Sequence, residues 1–219
     1  MDTIMDTVME RNKFPGKFIV FEGLDGSGQT TECNLLAEFL ESKGIKILKT
    51  KEPTPNSPAG KIIRKILDKE KKSSPSSLQK LFCQDRKWHL EKEIIPALKQ
   101  GKIVICDRYL FSTLSYGAAE GISYDWLFLL NKDFLLPDIL FFLDVKPDIC
   151  LERIEKRGKG KTIFEKKKKL EKIYKNYQKV LKEFEKSVDI FKINGEKSVK
   201  KVFGDIKKIY ESKKLSSNH

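Results

Sequence analysis

The sequence lacks any apolar run that approaches the roughly 20 residues needed to span a bilayer. Its polar N-terminal stretch, Met1 to Lys17, has no hydrophobic region of a secretory signal. There are only four cysteines, far apart at positions 33, 83, 106 and 150, and their spacing matches neither a zinc site nor a disulfide framework. These absences predict a cytoplasmic protein with free thiols and no membrane partner.

Acidic residues are scarce in the last third of the chain. Glu152 to His219 holds 22 Lys and Arg against 10 Asp and Glu, so +12 of the formal net charge of +13 lies there. A basic region of this kind is one mark of a nucleic-acid-binding protein. However, many of these lysines alternate with apolar residues at helical spacing, and Trp and Tyr are not interleaved as stacking platforms. A solvated helical face is the better interpretation, and nucleic acid is not expected as a partner.

The sequence does contain five short apolar runs, rich in Ile, Val and Phe and without a polar face of period two. They are Phe18–Phe21, Ile45–Leu48, Ile103–Cys106, Ile139–Leu143 and Ile190–Ile193. Parallel strands that are covered on both faces have this composition. Helical patterns separate the runs, so the sequence predicts an α/β fold with a five-stranded parallel sheet and helices on both faces.

The length of 219 residues suits one domain with a sizeable core. We expect residues 1–16 to form a loose N-terminal leader, residues 17–212 a single domain and residues 213–219 a flexible tail. Three helical patterns are long: one runs from Pro75 to Leu98, one from Leu170 to Val188 and one from Val199 to Tyr210.

The first predicted strand leads into a glycine-rich segment, Gly23-Leu24-Asp25-Gly26-Ser27-Gly28-Gln29-Thr30. This nearly matches the phosphate-binding pattern G-x-x-x-x-G-K-[ST] between a strand and a helix. In such a loop, backbone N–H groups and a helix N-terminus point at a phosphate, and the Thr30 hydroxyl is placed to bind Mg²⁺. The segment predicts a nucleotide-phosphate site formed by Gly23, Asp25, Gly26, Ser27, Gly28, Gln29, Thr30 and Thr31. On this segment alone, a turn that binds nothing remains open.

Gln29 occupies the position at which that pattern has lysine. A lysine ammonium stabilises the charge that moves onto the β–γ bridge of a nucleotide. A glutamine amide donates hydrogen bonds there but brings no charge.

Phe82 and Arg86 are four residues apart, so they project from one face of a predicted helix. A ring beside a guanidinium suits a planar base: Phe82 stacks on it while Arg86 donates to an exocyclic carbonyl oxygen. Thymine has such an oxygen at O4, where cytosine carries an amine. Spacing alone favours the alternative, in which Phe82 belongs to the core and Arg86 is a surface charge.

Asp107 and Arg108 stand at the carboxyl end of a predicted buried strand. Open α/β sheets bind ligands at that end, so a charged pair there indicates a site more than packing.

Taken together, these segments resemble the thymidylate kinase family. The order and spacing that carry the resemblance are those of Phe21-Glu-Gly-Leu-Asp-Gly-Ser-Gly, Lys51-Glu52-Pro53, Pro58-Ala-Gly-Lys-Ile-Ile-Arg64, the Phe82–Arg86 pair and Asp107-Arg108-Tyr109. The resemblance extends from about Lys17 to about Tyr210. It implies a P-loop kinase fold with a mobile lid, a homodimer, and transfer of the γ-phosphate of ATP to dTMP with Mg²⁺, giving dTDP and ADP.

The resemblance also implies roles for individual residues. Arg108 and Arg64 hold the dTMP phosphate, Asp107 lies near the metal and its water, and Phe82 and Arg86 read the base. The other implied substrate contacts come from Asp25 to the 3′-hydroxyl, from Tyr116 against the 2′ position, and from Glu52, Ser112 and Thr113. Gly117 departs from the bacterial pattern, in which a glutamine often follows the tyrosine and touches thymine.

A cationic segment from about 153 to 165 resembles the family's lid. Family members with glycine at the position of Gly26 usually supply cations from the lid, and here the candidates are Arg153, Arg157, Lys159 and Lys161. Closing such a lid neutralises phosphate charge and excludes water. The arginine that usually precedes the lid's Phe-Glu pair is missing, because Thr162 and Ile163 stand before Phe164. A solvated basic loop is the alternative for any one of these cations.

Three alternatives to an active dTMP kinase follow from the residues. Gln29 and the missing lid arginine favour a nucleotide-binding protein of the same fold with weak or no catalysis, but the acceptor residues are intact. The basic last third favours a nucleic-acid-binding protein, but its helices mix Lys with Glu. A deoxynucleoside kinase is disfavoured by Arg64 and Arg108, since a nucleoside has no phosphate for them to hold.

Overall fold

The structure of the protein, a computed structural model, describes the backbone of residues 9–156 and 163–216, and the side chains of residues 9–156 and 167–213. Five parallel strands form one sheet in the order β2-β3-β1-β4-β5. They are β1 (Lys17–Gly23), β2 (Ile47–Lys51), β3 (Ile103–Asp107), β4 (Ile139–Asp144) and β5 (Asp189–Asn194). The predicted five-stranded parallel sheet is confirmed.

The predicted second strand lies two to three residues too early. It runs over Ile47–Lys51 rather than Ile45–Leu48, and pairs in register with Ile103–Asp107 of β3. β2 is one of the two edge strands of the sheet, so one side of its backbone is open and its polar residues are half-buried or exposed. Hydrophobicity therefore does not mark its end, because an edge strand tolerates polar side chains.

Helices connect the strands. Their bounds are α1 (Gln29–Ser42), α2 (Pro58–Leu67), α3 (Pro75–His89), α4 (Ile95–Lys99), α5 (Leu110–Ala119), α6 (Tyr124–Asn131), α7 (Pro147–Lys156), α8 (Ile163–Phe184) and α9 (Val199–Ser216). The predicted helical stretch from Pro75 to Leu98 is present as α3, a π-helical turn over Leu90–Ile94, and α4.

The sheet separates two hydrophobic cores. On one face, α1 and α9 pack on β1 and β4 around Leu36, Leu40 and Ile206. On the other face, α5, α6 and α8 pack around Phe111 and Tyr177. Both faces of the sheet are thus covered, which accounts for the near-continuous apolar composition of the central strands.

The carboxyl ends of β1 and β3 lie side by side at the position where the strand order reverses. Phe21 is paired with Asp107, and the Arg108 amide donates to the Phe21 carbonyl oxygen at 2.9 Å. A crevice opens at such a reversal in open parallel sheets. The loop after β1 and the pair Asp107–Arg108 therefore meet there.

Part of the segment predicted to be a loose leader contacts the rest of the fold from Met9 onward. Met9 is buried, Arg11 forms a parallel bridge with Leu136, and the Asn12 amide donates to Asp138 Oδ2 at 2.7 Å. These contacts attach the segment to the start of β4, because an apolar anchor and paired backbone hold it there. Residues 1–8 lie outside the described part of the chain.

The flexible tail was predicted to begin at residue 213, a position that lies within the last helix. α9 continues to Ser216, and Lys213 Nζ lies 2.6 Å from Asp189 Oδ2 at the start of β5. In the described part of the chain, no helix is both long and apolar enough to traverse a membrane.

Candidate active site

The loop between β1 and α1 has the backbone of a phosphate-binding loop. Gly26 and Gly28 have φ values of 87° and 100°, the left-handed region that glycine enters without steric cost, and Gly28 is the N-cap of α1. A Cβ at Gly26 would lie 2.6 Å from the Cys150 carbonyl oxygen on α7. Glycine is required at position 26 both by conformation and by the close approach of α7.

Gln29 and Thr30, the first residues of α1, both bind Asp107 at the end of β3. Gln29 Nε2 donates to Asp107 Oδ1 at 3.2 Å, and Thr30 Oγ1 donates to Asp107 Oδ2 at 2.6 Å. Gln29 is buried with 5% of its surface exposed, so its amide lies inside the loop and not in solvent. The hydroxyl and carboxylate oxygens here are the hard ligands that Mg²⁺ prefers.

This donor set is small but fits Mg²⁺. No cluster of three or more His, Cys, Asp or Glu side chains placed for a metal occurs among the described residues. Mg²⁺ at kinase sites is held by one or two protein groups together with substrate phosphates and waters, so a cluster of three is not needed.

Arg108 is held over the same crevice. Its Nη2 donates to Asp25 Oδ1 at 2.6 Å, and its Nη1 donates to Ser112 Oγ at 3.0 Å and to the Gly23 carbonyl oxygen at 3.2 Å. Its guanidinium also lies 5.3 Å from the centre of the Tyr116 ring. Arg108 has a φ of 71°, a conformation that is rare for residues other than glycine and that occurs at sites where surrounding contacts hold it.

Asp25 is an exposed loop residue, and its side chain is 60% accessible. Its backbone amide donates to Tyr116 Oη at 3.2 Å. The structure therefore brings together four residues that were predicted to contact the substrate, namely Asp25, Arg108, Ser112 and Tyr116.

Glu22 organises this group and was not predicted to have a role. It is fully buried at the end of β1 and accepts hydrogen bonds from the Ser112 hydroxyl at 2.6 Å, the Tyr177 hydroxyl at 2.8 Å and the Tyr109 amide at 2.8 Å. Burial raises the pKa of Glu22, although the Arg108 charge and these hydrogen bonds oppose the rise. The sequence did contain a signal for this role, because Glu22 is a carboxylate between the predicted buried strand Phe18–Phe21 and the glycine-rich loop.

Arg86 lies in a second cluster and is fully buried. Its Nε and Nη2 donate to Glu52 Oε2 at 3.0 and 2.7 Å, Nη2 also donates to Thr113 Oγ1 at 3.0 Å, and Nη1 donates to Asn131 Oδ1. Burial acts to lower the pKa of Arg86, but the Glu52 carboxylate, together with Cys83 and Tyr109, outweighs burial and the pKa is raised. Four of the five guanidinium N–H groups are thus used within the protein, and one on Nη1 remains.

The predicted base-reading pair has unequal exposure. Phe82 is half-buried on α3, while Arg86 is 1% exposed one turn later. The interpretation of Arg86 as a surface charge is wrong, because three side chains from other elements surround its guanidinium. Asn131 on α6, which the sequence analysis did not single out, is one of them, and no local sequence signal connects it to Arg86.

Arg64 is not brought into this group. It is exposed on α2, and among the described residues no hydrogen bond or ion pair is found for its side chain. Its role toward a bound phosphate stays a prediction.

Arg153 lies on α7, against the outside of the phosphate loop. Its guanidinium donates to the backbone carbonyl oxygens of Gly26 at 3.5 Å, Ser27 at 3.2 Å and Gly195 at 2.9 Å. In this structure Arg153 therefore supports the loop from behind, which differs from the predicted position in a lid that closes over it. Arg157, Lys159 and Lys161 lie outside the described residues.

Two cavities border the glycines Gly26 and Gly28 of the phosphate loop. The larger, of ≈ 670 Å³, lies on the side of Arg108 and Tyr116 and extends to Leu170 on α8. The smaller, of ≈ 400 Å³, lies on the side of Arg153 and Gly195. Cavities of this size suit small-molecule ligands. Because both cavities border the phosphate loop, this loop can contribute to two ligand sites.

Comparison with known proteins identifies this arrangement. The family model described as thymidylate kinase matches residues 21–206. The chain is 42% identical over 197 residues to the probable thymidylate kinase of Pyrococcus horikoshii, a match that covers 87% of this chain and 94% of the relative. It is 38% identical over 202 residues to the thymidylate kinase of Leptospira interrogans, covering 91% and 96% respectively.

The chain belongs to the thymidylate kinase family.

Membership of the thymidylate kinase family gives the activity, which is phosphorylation of dTMP to dTDP with ATP. The predictions of family, fold and enzyme class are confirmed. The nucleic-acid-binding and deoxynucleoside kinase alternatives are not supported. The roles of individual residues in this thymidylate kinase, and the effect of Gln29, are matters of proposal.

Proposed function

We propose that the donor half of the site binds Mg-ATP through the phosphate loop, with Thr30 and Asp107 holding the metal directly or through water. The observation that carries this is the pair of hydrogen bonds from Gln29 and Thr30 to Asp107 at the mouth of the glycine loop. When bound, Mg²⁺ neutralises charge on the transferring phosphate. Gln29 supplies an amide donor beside the phosphates, and it keeps Asp107 turned toward Thr30.

The acceptor half of the site binds dTMP, with the dTMP phosphate in the larger cavity beside Arg108 and Tyr116. Arg108 holds the acceptor phosphate, and Arg64 on the exposed face of α2 swings in as a second cation. In the structure, Arg108 is paired with Asp25. We propose that the phosphate takes over this guanidinium, so that the Asp25 carboxylate is released to accept from the sugar 3′-hydroxyl. Ser112 stays bound to Glu22 and so keeps Arg108 over the cavity.

The base is read between α3 and α5. Phe82 stacks on the pyrimidine, and the remaining N–H of Arg86 donates to O4. Glu52 and Thr113 act on the base through Arg86, since their contacts orient its guanidinium. Tyr116 crowds the sugar 2′ position and favours a deoxyribose.

Transfer depends mainly on position and charge. The two halves would bring the ATP γ-phosphate and an oxygen of the dTMP phosphate together beside Asp107 and Arg108, and an in-line displacement needs little covalent help from the protein. Arg157, Lys159 and Lys161 remain candidate cations of the predicted lid. A homodimer and a cytoplasmic location also remain predictions; light scattering of purified protein checks the first.

A coupled ADP-release assay with Mg-ATP and a panel of nucleoside monophosphates tests this function. We expect dTMP to be the best acceptor, dUMP weaker, and dCMP and dGMP poor. Activity should be lost on chelation of Mg²⁺ and restored by adding it back. Equal turnover of dTMP and dCMP, or turnover that is insensitive to chelation, would contradict the proposed site.

A further inference from the structure

Gln79 on α3 is a buried amide whose carbonyl oxygen has no hydrogen-bond partner. Only 4% of the residue is exposed, and within the described part of the chain no donor lies within reach of Oε1. Leaving a buried acceptor unpaired is costly, and most such groups in folded proteins are paired. Because Gln79 lies on the same helix as the proposed base-reading residues Phe82 and Arg86, its unpaired oxygen points to a partner supplied by the ligand.

Gln79 lies on the face of α3 that carries the base-reading residues. It precedes Phe82 by three positions and Arg86 by seven, so the three side chains follow one stripe of the helix. Arg86, at one end of this stripe, reaches Thr113 on α5. Gln79, at the other end, faces Gly117, which is one turn after Thr113 on the same α5. Phe82 lies between these two contacts along the helix.

Gly117 makes room for Gln79. A Cβ at position 117 would lie 3.3 Å from Gln79 Cδ and 2.8 Å from both methyl carbons of Leu127. A larger residue at 117 would therefore push against the Gln79 amide. The amide stands beside the backbone of the residue that follows Tyr116, at the border of the proposed base site.

The polar groups left over at the two ends of this stripe are one donor and one acceptor. Arg86 has an N–H on Nη1 remaining, and Gln79 has Oε1. A carbonyl next to an N–H, as on the imide edge of a pyrimidine, complements this pair. Thymine and uracil present O4 and N3–H in that order, whereas cytosine presents an amine and an unprotonated N3, which reverses both contacts.

We propose that Gln79 Oε1 accepts a hydrogen bond from the N3–H of the acceptor base, which makes Gln79 a specificity-determining residue beside Arg86. The ligand class is a nucleoside monophosphate whose base is a cyclic imide. This inference rests on the proposed acceptor site between α3 and α5.

The test uses thymidine monophosphate methylated at N3, which keeps both carbonyls but loses the N–H. Wild-type protein should prefer dTMP to this probe by about 10-fold or more in kcat/KM, since an unmade hydrogen bond to a buried group has a cost of that order. In Gln79→Met, a variant of similar length without the acceptor, this preference should fall by about 10-fold. Gln84→Met, exposed on the same helix, is the matched control and should retain the wild-type ratio.

The outcomes separate this inference from the function it rests on. If the wild-type protein neither binds nor phosphorylates dTMP, the proposed function fails. If it phosphorylates dTMP but uses the N3-methyl probe equally well, only the role of Gln79 is overturned, with no variant needed. The role of Gln79 is also overturned if Gln79→Met lowers the activity on dTMP and on the N3-methyl probe by the same factor. That result is expected when a residue contributes only to packing. Thermal unfolding checks the fold of the variant, whose melting temperature should equal or exceed that of the wild type.

Discussion

Gln29 Nε2 donates a hydrogen bond to Asp107 Oδ1 across 3.2 Å, joining the first residue of α1 to the last residue of β3. The same carboxylate accepts from Thr30, so its two oxygens bind the two residues that open the helix. A neutral amide thus occupies the position at which the phosphate-loop pattern has a cation. The position remains buried and polar, and it faces the group proposed to bind the metal.

Replacing Gln29 by lysine should tighten ATP binding about fivefold, because a hydrogen bond from a charged group exceeds a neutral one by about 1 kcal/mol. Titration calorimetry with ATP measures the dissociation constant. Gln84→Lys adds the same charge at an exposed site and should leave it unchanged. Unchanged or weaker binding in Gln29→Lys would show that the amide side chain does not reach the phosphates.

If purified wild-type protein binds dTMP without forming dTDP and Gln29→Lys restores turnover, Gln29 marks a lost activity.

Replacing Arg108 by alanine should weaken dTMP binding by about 2–5 kcal/mol, the usual cost of truncating one partner of a buried charge pair. Thymidine has no phosphate for the guanidinium to hold, so its binding should change far less. Calorimetric titrations of both ligands give the comparison. Equal losses for the two ligands would instead indicate damage to the fold around Glu22 and Ser112, to which Arg108 is connected.

Removing the Arg86 charge should destabilise the protein and should also reduce its discrimination between dTMP and dCMP. Arg86→Met removes the arginine partner of the buried Glu52 carboxylate and leaves His89 beside it, at a cost of about 3–5 kcal/mol in the free energy of unfolding. Adding Glu52→Gln should recover part of that loss, because the uncompensated charge is gone. Urea unfolding measures both variants.

Arg64→Met serves as the comparison for Arg86, since Arg64 is exposed and its removal should change stability by no more than about 0.5 kcal/mol. The ratio of kcat/KM for dTMP over dCMP should fall in Arg86→Met and not in Arg64→Met. A ratio that does not move in Arg86→Met would show that this residue does not read the base.

Glu32 on α1 should make stability depend on pH. Its Oε2 is buried without a partner in the described structure, and burial raises the pKa of this carboxyl to about 7. The folded state therefore binds the proton more tightly than the unfolded chain, whose glutamates titrate near 4.3. Glu32 therefore makes its full contribution to the free energy of unfolding below about pH 4.3, the value for the unfolded chain. This contribution is lost as the pH rises through 7.

Glu32→Gln should accordingly match the wild type near pH 4.5 and be more stable than it at pH 8. Chemical unfolding across this range measures the difference, with the exposed Glu38→Gln on the same helix as control. A difference between Glu32→Gln and wild type that is constant with pH would mean that Glu32 does not titrate in this window.

Short-range patterns determined much of this protein. The phosphate loop is one continuous segment whose glycines, strand and helix follow each other directly, so its existence and place were predictable from the residues alone. The same is true of the central strands, because burial on both faces demands unbroken apolar runs. The bounds of the edge strand β2 could not be predicted in this way, since an edge strand tolerates polar residues. The attachment of Met9–Asn12 could not be predicted either, because its partners, Leu136 and Asp138, are far along the chain.

The tertiary structure alone decided what each polar side chain binds. Arg86 reaches residues 27 to 45 positions away in the sequence, and those contacts turn an apparent surface charge into a buried group with one donor left. Arg153 looked like a lid cation, but the packing of α7 against Gly26 directs it to backbone carbonyls. Gln79 carried no sequence signal, because its unpaired oxygen results from how α3 and α5 meet at Gly117. Buried polar groups find their hydrogen-bond partners among residues that are close in space and often distant in the sequence. The residue type therefore limits what a side chain can do, and its neighbours in the folded structure decide its role.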